Sequence, residues 1–195
     1  PQYWTLSATG EKTINKVGLE GPLMEASRFL SQATLGADLA TIEQVANQGI
    51  EAWIDDQMTV PQSQTLDRLN EVFAEVIEWY LVNGGNPDEV STRPYWTIFN
   101  YTWWENHMKN DDLLRQKVAL ALSEIFVISI ESNLSDAGFG LADYYDILLK
   151  HSFGNFEDML REISLHPCMG YYLSHLNNPR EIPEENIHSD ENYAR

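Results

Sequence analysis

Apolar residues recur at three- and four-residue spacing along most of this chain, which predicts helices rather than strands. Pro22 sits where a helix can begin, and Leu23, Ala26, Phe29, Leu30 and Ala33 then share one face up to Gly36. Asp38 can cap a second helix carrying Leu39, Ile42, Val45 and Ala46, with Gly49 as its stop. "IEAWIDDQM" reads as a short third helix, closed by Pro61. The clearest stripe is Leu66, Leu69, Phe73, Val76, Ile77 and Tyr80, ended by Gly84 and Gly85. "GGNPDEVSTRP", near 83–93, is the strongest internal loop signal.

The second half continues in the same way. "YWTIFNYTWWENHM" shows no period-2 alternation and reads as helix. Asp111 or Asp112 starts a long helix through "LLRQKVALALSEIFVIS", apolar on most of its circumference and so expected near the centre of a bundle. "ESNLSDAGFG" is a second loop, and "LADYYDILLKHSF" is helical up to Gly154. Asn155 and Asp158 form a capping pair for "FEDMLREISLH", and Pro167 starts "CMGYYLSHL". "NNPREIPEENIHSD" is a long polar loop with two prolines. Residues 1–21 lack a sustained period and read as an extended arm. The expected fold is all-α, an irregular bundle of about eight helices over 22–195 with that arm in front.

Composition narrows the class. The chain has 195 residues, 43% of them hydrophobic and 11% aromatic, which suits a packed globular protein. Thirty acidic against twelve basic residues give a net charge of −18, which repels phosphate backbones and anionic membranes, so no nucleic-acid role is expected. No run of 18 apolar residues is present, so no membrane insertion is expected either. The single Cys168 precludes an internal disulfide framework and reads as a small buried filler. The chain begins at Pro1 rather than Met, which fits a processed or trimmed N-terminus.

Chemistry-bearing motifs are sparse. There is no P-loop, dinucleotide fingerprint, G-x-S-x-G elbow or CxxC pair, and nothing in the sequence specifies a cofactor. None of His107, His151, His166, His175 and His188 forms an HExxH pair, so each reads first as a hydrogen-bonded or surface histidine. Asp136 and Asp143 lack the alternating oxygen ligands of a calcium loop. Tyr95, Trp96, Phe99, Tyr101, Trp103 and Trp104 could line a sugar-binding groove, but helix–helix core packing is the favoured expectation. Trp103 and Trp104 must point about 100° apart on a helix, so at most one of them faces any given surface. Arg115, in a largely apolar helix, needs a carboxylate partner if buried; Glu124, Asp143, Asp146 and Glu191 are the candidates, with a binding role second.

The densest polar stretch is "HSDENYAR", residues 188–195. It has two readings. In one, Ser189 or Asp190 caps a helix, Glu191 sits in the positive first turn, and Glu191 and Arg195 pair four residues apart. In the other, His188, Asp190, Glu191, Asn192 and Arg195 gather around a substrate or cation. His188 and Asp190 would then be metal ligands, Glu191 or His166 the acid–base group, and Arg195 the stabiliser of developing negative charge; Asp190, Asn192 and Arg115 would be binding residues.

Three stretches, in order, resemble one bacterial family, the domain of unknown function 1800. "ASRFLSQATLGADLATIEQVANQGIEAWIDDQM" (26–58) is similar to its opening motif, and "LLRQKVALALSEIFVIS" (113–129) to its central helix. "YYDILLKHSFGNFEDMLREISLHPCMGYYLSHLNN" (144–178) with "DENYAR" (190–195) is the most specific part. The resemblance implies an exported protein (periplasmic, cell-surface or secreted) encoded near a second exported family that resembles sulfatases and alkaline phosphatases. It also implies that these residues are the N-terminal part of a longer protein, with the remaining C-terminal part as a partner. Two functions stay open: a binding or scaffold component working with a separately encoded enzyme, or part of a metal-assisted or acid–base enzyme, perhaps on carbohydrate, with its site near 188–195.

Overall fold

A computed structural model describes residues 2–6, 12–16, 18–131 and 133–195, with side chains described from residue 18 onward. The fold is all-α, with nine α-helices among the described residues. The arm carries the one regular exception. Gln2–Leu6 pairs antiparallel with Lys12–Lys16, in a register that sets Trp4 opposite Ile14. Two compact units result, residues 1–59 and 60–195.

In the first unit, α1 (Pro22–Ala33), α2 (Leu39–Gln48) and α3 (Ile50–Thr59) follow the apolar pattern closely. Pro22 occupies the first helical position, where its missing N–H costs nothing. The Asp38 carboxylate accepts from the Thr41 N–H at 2.8 Å, and Gly49 ends α2 at φ 91°, a conformation glycine adopts without strain. Ala26, Leu30, Val45 and Trp53 are buried, and Phe29 meets Trp53 edge to face at 5.5 Å.

The second unit comprises α4 (Thr65–Val82), α5 (Trp96–Lys109), α6 (Leu113–Ser123), α7 (Gly138–His151), α8 (Phe156–Leu165) and α9 (Pro167–Tyr172). Its centre is α7, not α6. Seven of the fourteen α7 residues are buried, and α7 packs against α4, α5, α6, α8 and α9. Tyr144, Tyr145, Leu148 and Leu149 form the heart of a core completed by Ala119, Met159, Ile163 and Met169. Gly138 sits so close to the chain before α5 that a Cβ there would stand 2.6 Å from the Pro94 carbonyl, to which its own N–H donates at 3.0 Å.

Helix α6 buries only Gln116 and Ala119 and stops at Ser123, six residues short of the expected end. The β-branched run Val127, Ile128 and Ile130 disfavours helix, and the Tyr144 hydroxyl donates to the Phe126 carbonyl at 2.7 Å, holding the segment in another path. At the other end, the Asp112 carboxylate accepts from the Ser63 N–H and hydroxyl, at 2.9 and 2.6 Å, instead of capping its own helix.

Helix α5 overturns a second expectation. The residues it buries are Thr102, Glu105, Asn106 and His107, while Tyr95, Trp96, Tyr101 and Trp104 are exposed. Of the aromatic cluster, only Phe99 and Trp103 pack against the core. The Glu105 carboxylate can go inward because it finds partners there. Glu105 receives Arg68 Nε of α4 at 2.8 Å and Lys109 Nζ at 2.5 Å, and Arg68 also reaches Glu71 at 2.7 Å and Glu75 at 3.1 Å. His107 Nδ1–H donates to the Trp103 carbonyl at 2.7 Å, and burial pushes its pKa down.

Candidate functional site

Helices α8 and α9 meet at His166, which ends the first and caps the second. Its Nδ1 accepts from the Cys168 N–H at 3.2 Å and so carries no proton. Nε2–H then donates to the Asp143 carboxylate of α7 at 3.1 Å, which fixes the tautomer. Both ring nitrogens are occupied. Cys168 behind it is buried, and burial with the nearby Asp143 pushes its thiol up to about 11, so it is a packed thiol and not a nucleophile at neutral pH. A Cβ on Gly140 would meet its sulfur at 2.6 Å, so α7 and α9 are in close contact there.

The chain after α9 returns across this junction. Asn178 clasps Asp190 reciprocally: the Asp190 N–H donates to Asn178 Oδ1 at 2.8 Å, and Asn178 Nδ2 donates to the Asp190 carbonyl at 2.5 Å. Between them Ile182 and Ile187 pair backbone to backbone. Tyr193 is then laid face to face on His175, with centroids 4.4 Å apart, and its hydroxyl donates to the Ser164 carbonyl at the end of α8.

The result is a cavity of about 600 Å³, walled by His166, Tyr171, His175 and Tyr193 with mostly apolar neighbours such as Leu165 and Leu176. Arg93 and Asp136 stand at it with largely exposed side chains, 3.8 Å apart. Of residues 188–195, Tyr193 lines it.

The polar residues of that motif are placed otherwise. The Asp190 carboxylate accepts from the Asn192 N–H at 2.9 Å, a turn that starts the short 3-10 helix Asn192–Ala194. Glu191 pairs with Arg195, both largely exposed, and His188 lies 3.4 Å from Glu181, also in solvent. Asp190, Glu191, Asn192 and Arg195 do not line the cavity; of the expected site residues only His166 does, joined by Tyr193 from the same motif. Among the described residues no group of three or more His, Cys, Asp or Glu is placed to hold a metal ion.

Arg115 also differs from expectation. Its Nη1 donates to the Leu149 carbonyl at 3.0 Å, Nη2 lies 3.5 Å from the Val60 carbonyl, and the guanidinium stacks 4.6 Å over Phe153. The expected carboxylate gives way to the negative C-terminal turn of α7 and an aromatic face. Asp146, one of the proposed partners, is engaged at the start of α4, where it accepts from the N–H groups of Thr65 and Leu66 at 2.8 and 2.9 Å.

Residues 28–195 match the family described as "Protein of unknown function (DUF1800)". The chain belongs to the DUF1800 family. Comparison with curated proteins and with solved structures finds no match. Residues 144–178 and 190–195, the most specific part of the sequence resemblance, supply most of the His166–Tyr193 cavity in this DUF1800 protein, and Arg93 with the segment 133–137 supplies the rest. Tyr193, Asn178 and Arg93 were not legible as site residues; the prior signal was only that Asn178 and Tyr193 lie inside the two stretches that carry the family resemblance.

Proposed function

We propose that this DUF1800 chain is an exported binding and scaffold component that acts with a separately encoded enzyme, and that the cavity walled by Tyr193 and His175 is its recognition site. One observation carries this reading. Within residues 188–195, the Asp190 backbone is clasped by Asn178, Glu191 and Arg195 pair with each other in solvent, and the side chain laid at the cavity is the aromatic Tyr193, not an acid–base pair. An enzyme acting through His166 would need a free ring nitrogen at the cavity, and both are engaged.

The test is association of the intact protein with the sulfatase-like exported protein that the family resemblance suggests, followed by co-elution and titration. Arg93→Glu and Tyr171→Ala change solvent-facing side chains at the cavity and should each weaken the complex about 10-fold, which is about 1.4 kcal/mol. Glu191→Gln, outside the cavity, should leave it unchanged. No complex with the unmodified protein, or carbohydrate turnover lost in His166→Gln, would overturn the proposal in favour of the enzyme reading.

A further inference from the structure

A cavity of about 280 Å³ opens between the C-terminal half of α4, the loop that follows it and the start of α5. It shares no residue with the His166–Tyr193 cavity. Four aromatic side chains line it: Phe73, Trp79 and Tyr80 from α4, and Tyr95 just before α5. Trp79 is 67% exposed and Tyr95 56%, so aromatic surface there is open to solvent. Among the described residues, no other ring stacks on Trp79, Tyr80 or Tyr95, and no cation of the chain lies over them.

The loop also sets one carboxylate among these rings. The Gly85 backbone lies so close to the Tyr80 ring that a Cβ there would stand 2.4 Å from it, and the Asn86 N–H donates to the Tyr80 hydroxyl at 3.2 Å. Asn86 Nδ2 donates to Glu89 Oε1 at 3.1 Å, and the Tyr80 hydroxyl lies 3.5 Å from Glu89 Oε2. Both donors are neutral. Among the described residues, no Lys, Arg or His lines the cavity or pairs with Glu89. The last turn of α4, which carries Trp79 and Tyr80, has no basic residue either, so the negative end of that helix adds to the same field.

An aromatic wall beside a carboxylate that lacks a cationic partner attracts a cation that sheds its water easily. We propose that this cavity binds a small alkylated ammonium ion of the choline type, with its methyl groups against Trp79, Tyr80 and Tyr95 and its charge facing Glu89. An unalkylated ammonium is more strongly hydrated and gives up more on meeting the rings. An anion would meet Glu89 and a chain of net charge −18. A metal ion would find one carboxylate where hard cations take a shell of several oxygens. A sugar would find few free partners, since the Ser91 hydroxyl is spent on the Arg93 backbone, donating to its carbonyl at 2.7 Å and accepting from its N–H at 3.2 Å.

Three probes test this on the intact protein by titration calorimetry at fixed ionic strength. They are choline, its neutral isostere with a tert-butyl group in place of the trimethylammonium, and ethanolamine, which keeps the charge without the methyl groups. Choline should bind saturably with one site per chain, and each of the other two at least about 10-fold more weakly. Glu89→Gln keeps an oxygen for Asn86, and should weaken choline about 3- to 10-fold while leaving the neutral isostere unchanged. Trp79→Ala removes a largely exposed ring and should weaken choline by a similar factor. Glu157→Gln removes one exposed charge outside the cavity and should leave choline binding as it is. Failure of choline to saturate, either control binding as well as choline, or no greater loss in Glu89→Gln than in Glu157→Gln would each overturn the assignment. So would binding of a trimethyllysine peptide in place of choline.

Discussion

Replacing Glu105 by alanine should lower the stability of the second unit by about 3 kcal/mol, read as a shift of the urea midpoint at constant slope. The carboxylate is 8% exposed and draws Arg68 from α4 and Lys109 from its own helix. Removing it leaves Arg68 28% exposed and still within reach of Glu71 and Glu75, which keeps the loss below that of a fully isolated buried charge. The same pair sets an acid limit. The Arg68 hydrogen bond first, and the Lys109 hydrogen bond second, hold Glu105 below its ordinary value of 4.5. A depressed folded pKa contributes stability that is present above 4.5 and lost as pH falls through the lowered value. Glu162 acts in the same direction through Lys150 and then His151. Stability should therefore fall on acidification below pH 4.5, and Glu105→Gln should flatten that fall while lowering stability at neutral pH.

Asp146→Ala is the second large effect, about 2 kcal/mol, because two backbone N–H groups at the start of α4 lose their only side-chain cap. Its pH signature has the opposite sign. Burial raises the Asp146 pKa above 3.8 despite the two N–H bonds. A raised folded pKa contributes stability that is present below 3.8 and lost as pH rises through the higher value. In a pH series of urea midpoints, the difference between the unmodified protein and Asp146→Ala should thus widen toward low pH. For Glu105→Ala it should shrink.

These contacts also mark what a sequence can reveal. Local signals were legible, because Pro22, Asp38, Gly49 and Asn155 act on residues within a turn of themselves. Asn155 Oδ1 accepts from the N–H groups of Glu157 and Asp158 as its spacing predicts. The misses are all tertiary. Nothing near Glu105 announces that Arg68, 37 residues earlier, makes the polar face of α5 the buried one. Nothing near Phe126 announces the Tyr144 hydroxyl that holds its carbonyl outside a helix. The 188–195 motif was conspicuous for its charges, but its anchoring residue is the one aromatic among them, placed by His175 and Ser164 from two other segments. Charge density marks the stretch, while the side chain that lines the cavity from it is Tyr193.

The central claim is that residues 188–195 form a clasp whose working part is Tyr193. The most direct measurement is the urea unfolding midpoint of Tyr193→Ala beside Glu191→Ala, Arg195→Ala and their double mutant. Tyr193→Ala should cost about 2 kcal/mol through the lost stack and hydrogen bond. The exposed Glu191–Arg195 pair should cost about 0.5 kcal/mol or less for either change, with the double mutant no worse than the singles. A neutral Tyr193→Ala alongside a costly Glu191→Ala or Arg195→Ala would contradict the claim and return the polar cluster to the centre of this motif.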